Sequence, residues 1–206
     1  MKDINQDGFP DLLVTQTKGT INLQALTQVY IASAPFTYPE QPSLDLSAKG
    51  GLAAPGLEDI DGDGMLDLVV INMSFGVKNL LNFFTRGKIS VDAQVYLFKD
   101  GAYSPEPAYT TSLTLDAPEG RERVAYALGD FDGDGRKDVA FGQGAELFAV
   151  QRGEPQRFVE PKPWVSVPIP SFGTARAYAL NADKKDDVVL FHPAGENAKR
   201  IEVVIF

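Results

Sequence analysis

The chain of 206 residues carries 19 Lys and Arg against 28 Asp and Glu, for a formal charge of −9 and a pI near 4.6, the wrong sign for a partner of nucleic-acid backbone. Its hydrophobic content of 44% and its length suffice for a sizeable core, and the absence of cysteine removes disulfides, thiolate metal sites and cysteine nucleophiles. No apolar run reaches the roughly 18 residues of a membrane span, so no membrane insertion is expected, and residues 1–30 lack the pattern of a secretory leader.

The acidity is local. Eleven of the 28 acids fall in three nine-residue windows, leaving 17 acids against 19 bases elsewhere. In chain order the windows are DINQDGFPD from Asp3, DIDGDGMLD from Asp59 and DFDGDGRKD from Asp130, all of the form D-x-[DN]-x-D-G-x-x-D. A fourth, ALNADKKDD from Ala179, aligns without gaps but has Ala179 for the first Asp and Lys184 for the Gly.

Each window is followed by a short apolar run, LLVT, LVVI, VAFG or VVLF, whose β-branched and aromatic content fits a buried strand. A second strand-like run comes next: QVYIAS (28–33), QVYLFK (94–99), ELFAVQ (146–151) and IEVVIF (201–206). A third follows in the first three units (SLDLS, TSLTL, WVSVPI), and runs such as RVAYALGDF or ARAYALNAD lead into the next window. The windows start at residues 3, 59, 130 and 179, spacings of 56, 71 and 49 that match one all-β unit each. Units of about 1–48, 49–117, 118–170 and 171–206 are expected, as one repeat domain.

Several carboxylates within nine residues repel one another unless a cation neutralises them, and Ca²⁺ accepts hard oxygen donors at about 2.3–2.6 Å. Alternate positions 1, 3 and 5 aim into one concavity, Gly at position 6 permits the turn, the carbonyl of position 7 faces inward and Asp at position 9 closes the cage. Site one is then Asp3, Asn5, Asp7, the Phe9 carbonyl and Asp11; site two is Asp59, Asp61, Asp63, the Met65 carbonyl and Asp67. Site three is Asp130, Asp132, Asp134, the Arg136 carbonyl and Asp138. Ordinary Asp, Asn and Gly turn chemistry is the rival reading of a single copy, and three copies with every ligand position kept weigh against it and for an ion. Site one has three carboxylates and is expected to bind most weakly. The fourth loop, Ala179 to Asp187, is expected to stay empty, with Asn181, Asp183 and Asp187 hydrogen-bonding the turn. An EF-hand is excluded, because position 12 is Val14, Val70 or Phe141 instead of Glu, and no helix leaves the loop.

With these loops, and with VAFGQGAELFAV (139–150) and VYLFKDGAYS (95–104), the chain resembles the FG-GAP and VCBS repeats of integrin-alpha-like β-propellers. The resemblance implies an all-β fold of propeller blades, about four of them here, with calcium mostly structural and ligand surfaces elsewhere on the blades. A full propeller of that family is usually seven-bladed and about twice this length. An arc of a larger propeller, a piece of one, or an unusually closed small ring is therefore expected. Any address signal or remaining blades would lie upstream of Met1, and sheet surface at open ends would pair with those blades or with other chains.

Two segments break the repeat. NMSFGVKNLLNFFTRGKIS (72–90) places Val77, Leu80, Leu81 and Phe84 near helical spacing, which reads as a helix or long hairpin packed on its own sheet, or else a docking insertion. EPKPWVSVPIPSFG (160–173) reads as an edge strand by its prolines, and Trp164 beside Phe172 is a candidate sugar platform, although packing explains most Trp residues. His192 is the one histidine, and no phosphate loop, nucleophile elbow or H-E-x-x-H motif occurs, so no catalysis is expected. The sequence therefore reads as a non-catalytic, calcium-stabilised module of a secreted, cell-surface or periplasmic protein that binds a protein or glycan. The alternatives are a segment of a larger assembly and an accessory domain of a polysaccharide-active enzyme.

Overall fold

The computed structural model describes residues 1–19, 23–49, 51–74, 76–116, 124–193 and 195–206; side chains at 51, 52, 74, 77–80, 115 and 116 lie outside that description. The start of the expected lead-in run at Arg123 and the expected unit boundary at 117/118 also lie outside the described residues. The strands gather into two compact units, Met1–Asn79 with Ser90–Leu113, and Leu80–Ile89 with Thr114–Phe206.

In the first unit, β1 (Leu12–Lys18), β2 (Gln24–Tyr30) and β3 (Leu44–Lys49) form an antiparallel sheet in that order. Its register pairs Leu12 with Tyr30 and Val29 with Leu44. Alternation in β2 sends Ala25, Thr27 and Val29 inward, the period of two that a half-buried strand requires. Next come β4 (Gly51–Glu58), β5 (Asp67–Ser74) and, after a helix, β6 (Lys88–Tyr96). The hairpin β7 (Phe98–Lys99) and β8 (Ala102–Tyr103) precedes β9 (Tyr109–Asp116), and the sheet order is β4-β5-β6-β9. Pro55 lies in β4, an edge strand of that sheet, where its missing N–H breaks no inner ladder. Ile4, Val29, Leu44, Leu57, Leu68, Val70, Tyr96, Phe98 and Tyr103 make the core.

The helix is α1 (Val77–Arg86), one of the two forms that its spacing allowed. It ends at Gly87, whose φ of 60° lets its N–H donate to the Phe83 carbonyl at 3.0 Å, a left-handed cap. Leu81 and Phe84 do not pack on a sheet, being 60% and 78% exposed, while the side chains of Val77 and Leu80 lie outside the described residues.

In the second unit, β10 (Tyr126–Gly129), β11 (Asp138–Gly142) and β12 (Phe148–Gln151) run antiparallel. The hairpin β13 (Gly153–Glu154) and β14 (Arg157–Val159) leads to β15 (Val165–Val167), which pairs with β12 and lies at the sheet edge, where its flanking prolines place it. Every residue of β11 and β12 is buried, which explains their near-continuous apolar sequence. The last sheet is β16 (Thr174–Tyr178), β17 (Asp187–Phe191) and β18 (Ile201–Val204). Phe131, Phe148, Val150, Val188 and Leu190 share one core with Ala125, Ala127 and Ala140.

The protein is all-β apart from α1, among the described residues, and is built of antiparallel sheets on one plan. Windows two, three and four join β4 to β5, β10 to β11 and β16 to β17. Window one is closed by a bridge of Lys2 to Asp11. Leu190→Ala, which removes a side chain with no exposure, is expected to cost about 2–5 kcal/mol in urea denaturation.

Candidate metal centre

The windows share a hydrogen-bond pattern, which all four keep at positions 5 and 9. The carboxylate at position 1 receives backbone N–H groups from across the turn: Asp3 from Asp7 and Gly8, Asp59 from Gly62 and Gly64, and Asp130 from Gly133, Asp134 and Gly135. Asn5 and Asp132 at position 3 each accept from position 5. Asp7, Asp63 and Asp134 at position 5 turn one oxygen to the N–H of position 7, at 2.8, 2.9 and 2.8 Å. Those N–H groups belong to Phe9, Met65 and Arg136, all half-buried. At position 6, Gly8, Gly64 and Gly135 take φ of 86°, 89° and 88°, the left-handed region that favours glycine. Lys184 adopts φ of 70° at the same place, so loop four keeps the shape at the backbone cost of a side chain there.

Position 9 carries the arrangement furthest. Asp11, Asp67, Asp138 and Asp187 are at most 1% exposed. One oxygen of each accepts the N–H of position 2, from Ile4, Ile60, Phe131 and Leu180 at 2.7, 2.9, 2.7 and 3.2 Å. The other accepts an N–H well downstream, from Ala32, Phe98, Gly153 and Phe206 at 2.7, 2.9, 2.8 and 3.1 Å. The aspartate read as a cage-closing ligand is thus also a stitch between the loop and the segment after its second strand.

In loop two the oxygens of Asp59, Asp61 and Asp67 converge within 4.8 Å of one another, and in loop three those of Asp130, Asp132 and Asp138 do so. Loop one, with Asn5 at position 3, gathers no such trio of carboxylates; Asn5 instead donates to Asp7 at 3.0 Å. Asp63 and Asp134 stand outside the two trios. Burial raises Asp67 to about 6, and the charges of Asp61 and Asp63 add to it, against N–H bonds from Phe98 and Ile60. Asp138 rises to about 6 for the same reason, burial first, with Asp132 and Asp130 adding to it against N–H bonds from Gly153 and Phe131. Asp132 is also raised, by burial and then by Asp134. Burial pushes Asp63 up, but Lys99 and the Met65 N–H more than offset it and leave it below its ordinary value. In loop two, Asp61 Oδ1 is buried with no hydrogen-bond partner. A buried carboxylate oxygen without a donor, beside two more carboxylates, fits a hard divalent cation in chemistry and in charge.

Loop four has no position 1 ligand, and Asn181, Asp183 and Asp187 bond the turn as the sequence suggests. Three features were not read from sequence. Tyr38 and Tyr103 donate their hydroxyls to the position 8 carbonyls of Pro10 and Leu66, at 2.9 and 2.6 Å. Both tyrosines stand just before a Pro-Glu pair, as Y-P-E at 38–40 and Y-S-P-E at 103–106, and that recurrence, offset by one residue, was the available signal. Lys137 pairs with Asp186 at 3.2 Å and ties loop three to loop four. Lys99 bridges Asp61, at 2.6 Å, and Asp63.

The two residues noted for other chemistry have structural surroundings. His192 is buried, its Nδ1 donating to the Phe172 carbonyl at 2.9 Å. Trp164 stacks on Phe206 at 6.3 Å, with the Arg152 guanidinium 5.7 Å from the indole centroid, and so has an intramolecular partner in place of Phe172.

Repeated acidic hairpin loops, each stitched into an antiparallel sheet, define a β-repeat class of protein. Residues 3–70 match the family model of the FG-GAP-like repeat, so the chain carries an FG-GAP-like repeat from the first loop through the first sheet to the second loop and the start of β5. No curated protein matches the chain. Asp187→Asn, in the loop without a position 1 ligand, is expected to lose about 1–3 kcal/mol of stability in urea with or without calcium, because its new amide group faces a backbone donor.

Proposed function

We propose that the chain is a non-catalytic β-propeller repeat module whose loops bind Ca²⁺ for structural purposes, part of a secreted or cell-surface protein that binds a protein or a glycan. The observation that supports it most is the convergence of Asp59, Asp61 and Asp67, and of Asp130, Asp132 and Asp138, within 4.8 Å, with the buried Asp61 oxygen left without a donor. These residues would hold the ion, with Asp63, Asp134 and the carbonyls of Met65 and Arg136 as further donors; Asp3, Asn5, Asp7, the Phe9 carbonyl and Asp11 would form the weaker first site. Bound there, calcium supplies charge neutralisation and cross-linking of strands. The protein's own groups preorganise the oxygens: backbone N–H groups fix the position 1 and position 9 carboxylates before any ion arrives. Millimolar extracellular calcium matches the affinity of such external modules, about 10⁻⁴ to 10⁻³ M.

A site in tenfold excess over its Kd stabilises by about 1.4 kcal/mol, so calcium is expected to raise the melting temperature by about 3–6 °C per occupied site. Differential scanning calorimetry with Ca²⁺ and Mg²⁺ tests this, with little response to Mg²⁺, and Asp132→Ala should lose part of the rise. A melting temperature indifferent to calcium would reject the reading.

A second reading, a segment of a larger assembly, is favoured by the outer face of the last sheet. Phe191, Ile201, Val203 and Ile205 are 37, 58, 52 and 58% exposed. Sheet faces of this kind seek partners, and sedimentation of the isolated chain separates the readings: self-association favours assembly, a monomer the binding module.

A further inference from the structure

Lys99 is the feature that the repeat itself does not account for. It follows Phe98, whose N–H is held by Asp67 at 2.9 Å, so the backbone that carries it is pinned against loop two. From there its ammonium reaches Asp61 Oδ2 at 2.6 Å and also contacts Asp63 Oδ2. Asp61 is position 3 and Asp63 position 5 of the loop, two of the residues that present oxygens to an incoming cation. Among the described residues, no ammonium bridges positions 3 and 5 of another loop. The residue after the pinned amide is Ser33 in loop one and Glu154 in loop three, and Glu154 is engaged by Arg157 at 2.7 Å. At loop three, Arg152 stands 4.0 Å from Asp132 but is committed to Glu160 at 2.7 Å and to the face of Trp164.

We propose that Lys99 is a tethered counter-ion of loop two, which neutralises Asp61 and Asp63 when no metal is present and must be displaced when a divalent cation enters. This rests on the reading that the loops take calcium. The geometry supplies both halves of the exchange. The ammonium sits on oxygens that the metal needs, and the Lys99 side chain is 46% exposed, which leaves water beside it to receive the displaced group. A monovalent charge on a flexible stem holds two oxygens less firmly than a divalent ion held by a full cage, so the exchange runs towards metal at sufficient concentration. Its cost is taken from the affinity of loop two. Loop two therefore binds more weakly than loop three, where Arg152 stays 4.0 Å from Asp132 and is held by Glu160, and depends less on metal for its fold.

The test is calcium titration of the full chain by isothermal calorimetry in an Asp132→Ala background, which removes a ligand of loop three, with Lys99→Met and Lys99→Arg added separately. Lys99→Met keeps most of the stem and removes the charge; it is expected to tighten calcium binding about fivefold, the size of an exposed ion pair. It should also lower the melting temperature in chelator, with calcium restoring it. Lys99→Arg keeps the charge and is expected to stay close to the parent affinity, and it serves as the folded comparison if Lys99→Met is poorly stable. Calcium binding in the parent that Lys99→Met leaves unchanged or weakens would overturn the counter-ion role while leaving the calcium reading intact. No calcium binding in any form, parent included, would overturn both.

Discussion

A buried carboxylate that accepts two backbone N–H groups is the interaction on which each repeat depends. The aspartate at position 9 has one oxygen on the N–H of position 2 and the other on an N–H that the chain reaches 15 to 31 residues later. Hydrogen bonds to a charged acceptor are roughly twice as strong as neutral ones, and here they fix a long connection to a short loop. Burial works against them: Asp67 and Asp138 rise to about 6 although each accepts two N–H bonds. The loops therefore carry negative charge that their own donors do not fully offset, and a cation, whether divalent or the ammonium of Lys99, answers that imbalance.

The same residues thus serve the fold and the candidate site. Position 2 shows how closely the two are joined, since Ile4 and Phe131 have no exposure and anchor the loop in the core while their N–H groups hold position 9. Loop four shows what survives without a first ligand. Its Asp187 stitch and its Asn181 and Asp183 turns persist, with Lys184 in the left-handed backbone that glycine takes elsewhere. Loop geometry is therefore set by the hydrogen-bond pattern, and the ligand set is an addition to it.

Much of this was legible in the residues because its signals are local. The nine-residue windows, the glycine at position 6 and the apolar runs after them depend on neighbours a few positions apart, and the strands and turns fall where those signals lie. The spacing of 77–84 admitted a helix beside a long hairpin but said nothing of its surroundings: Leu81 and Phe84 face solvent because burial depends on what else comes near, which spacing does not encode. Trp164 was noted beside Phe172 on sequence proximity, whereas its ring found Phe206, distant in sequence.

Alternating oxygen donors, turn glycines and β-branched runs, each defined within a dozen residues, determined from the sequence alone that this is an all-β repeat with acidic loops between strands. Only the tertiary structure decided which donors meet. It spent Asp67 on the distant Phe98 backbone and set Lys99 against Asp61, because those contacts join residues 31 and 38 positions apart whose approach is fixed by sheet register and packing.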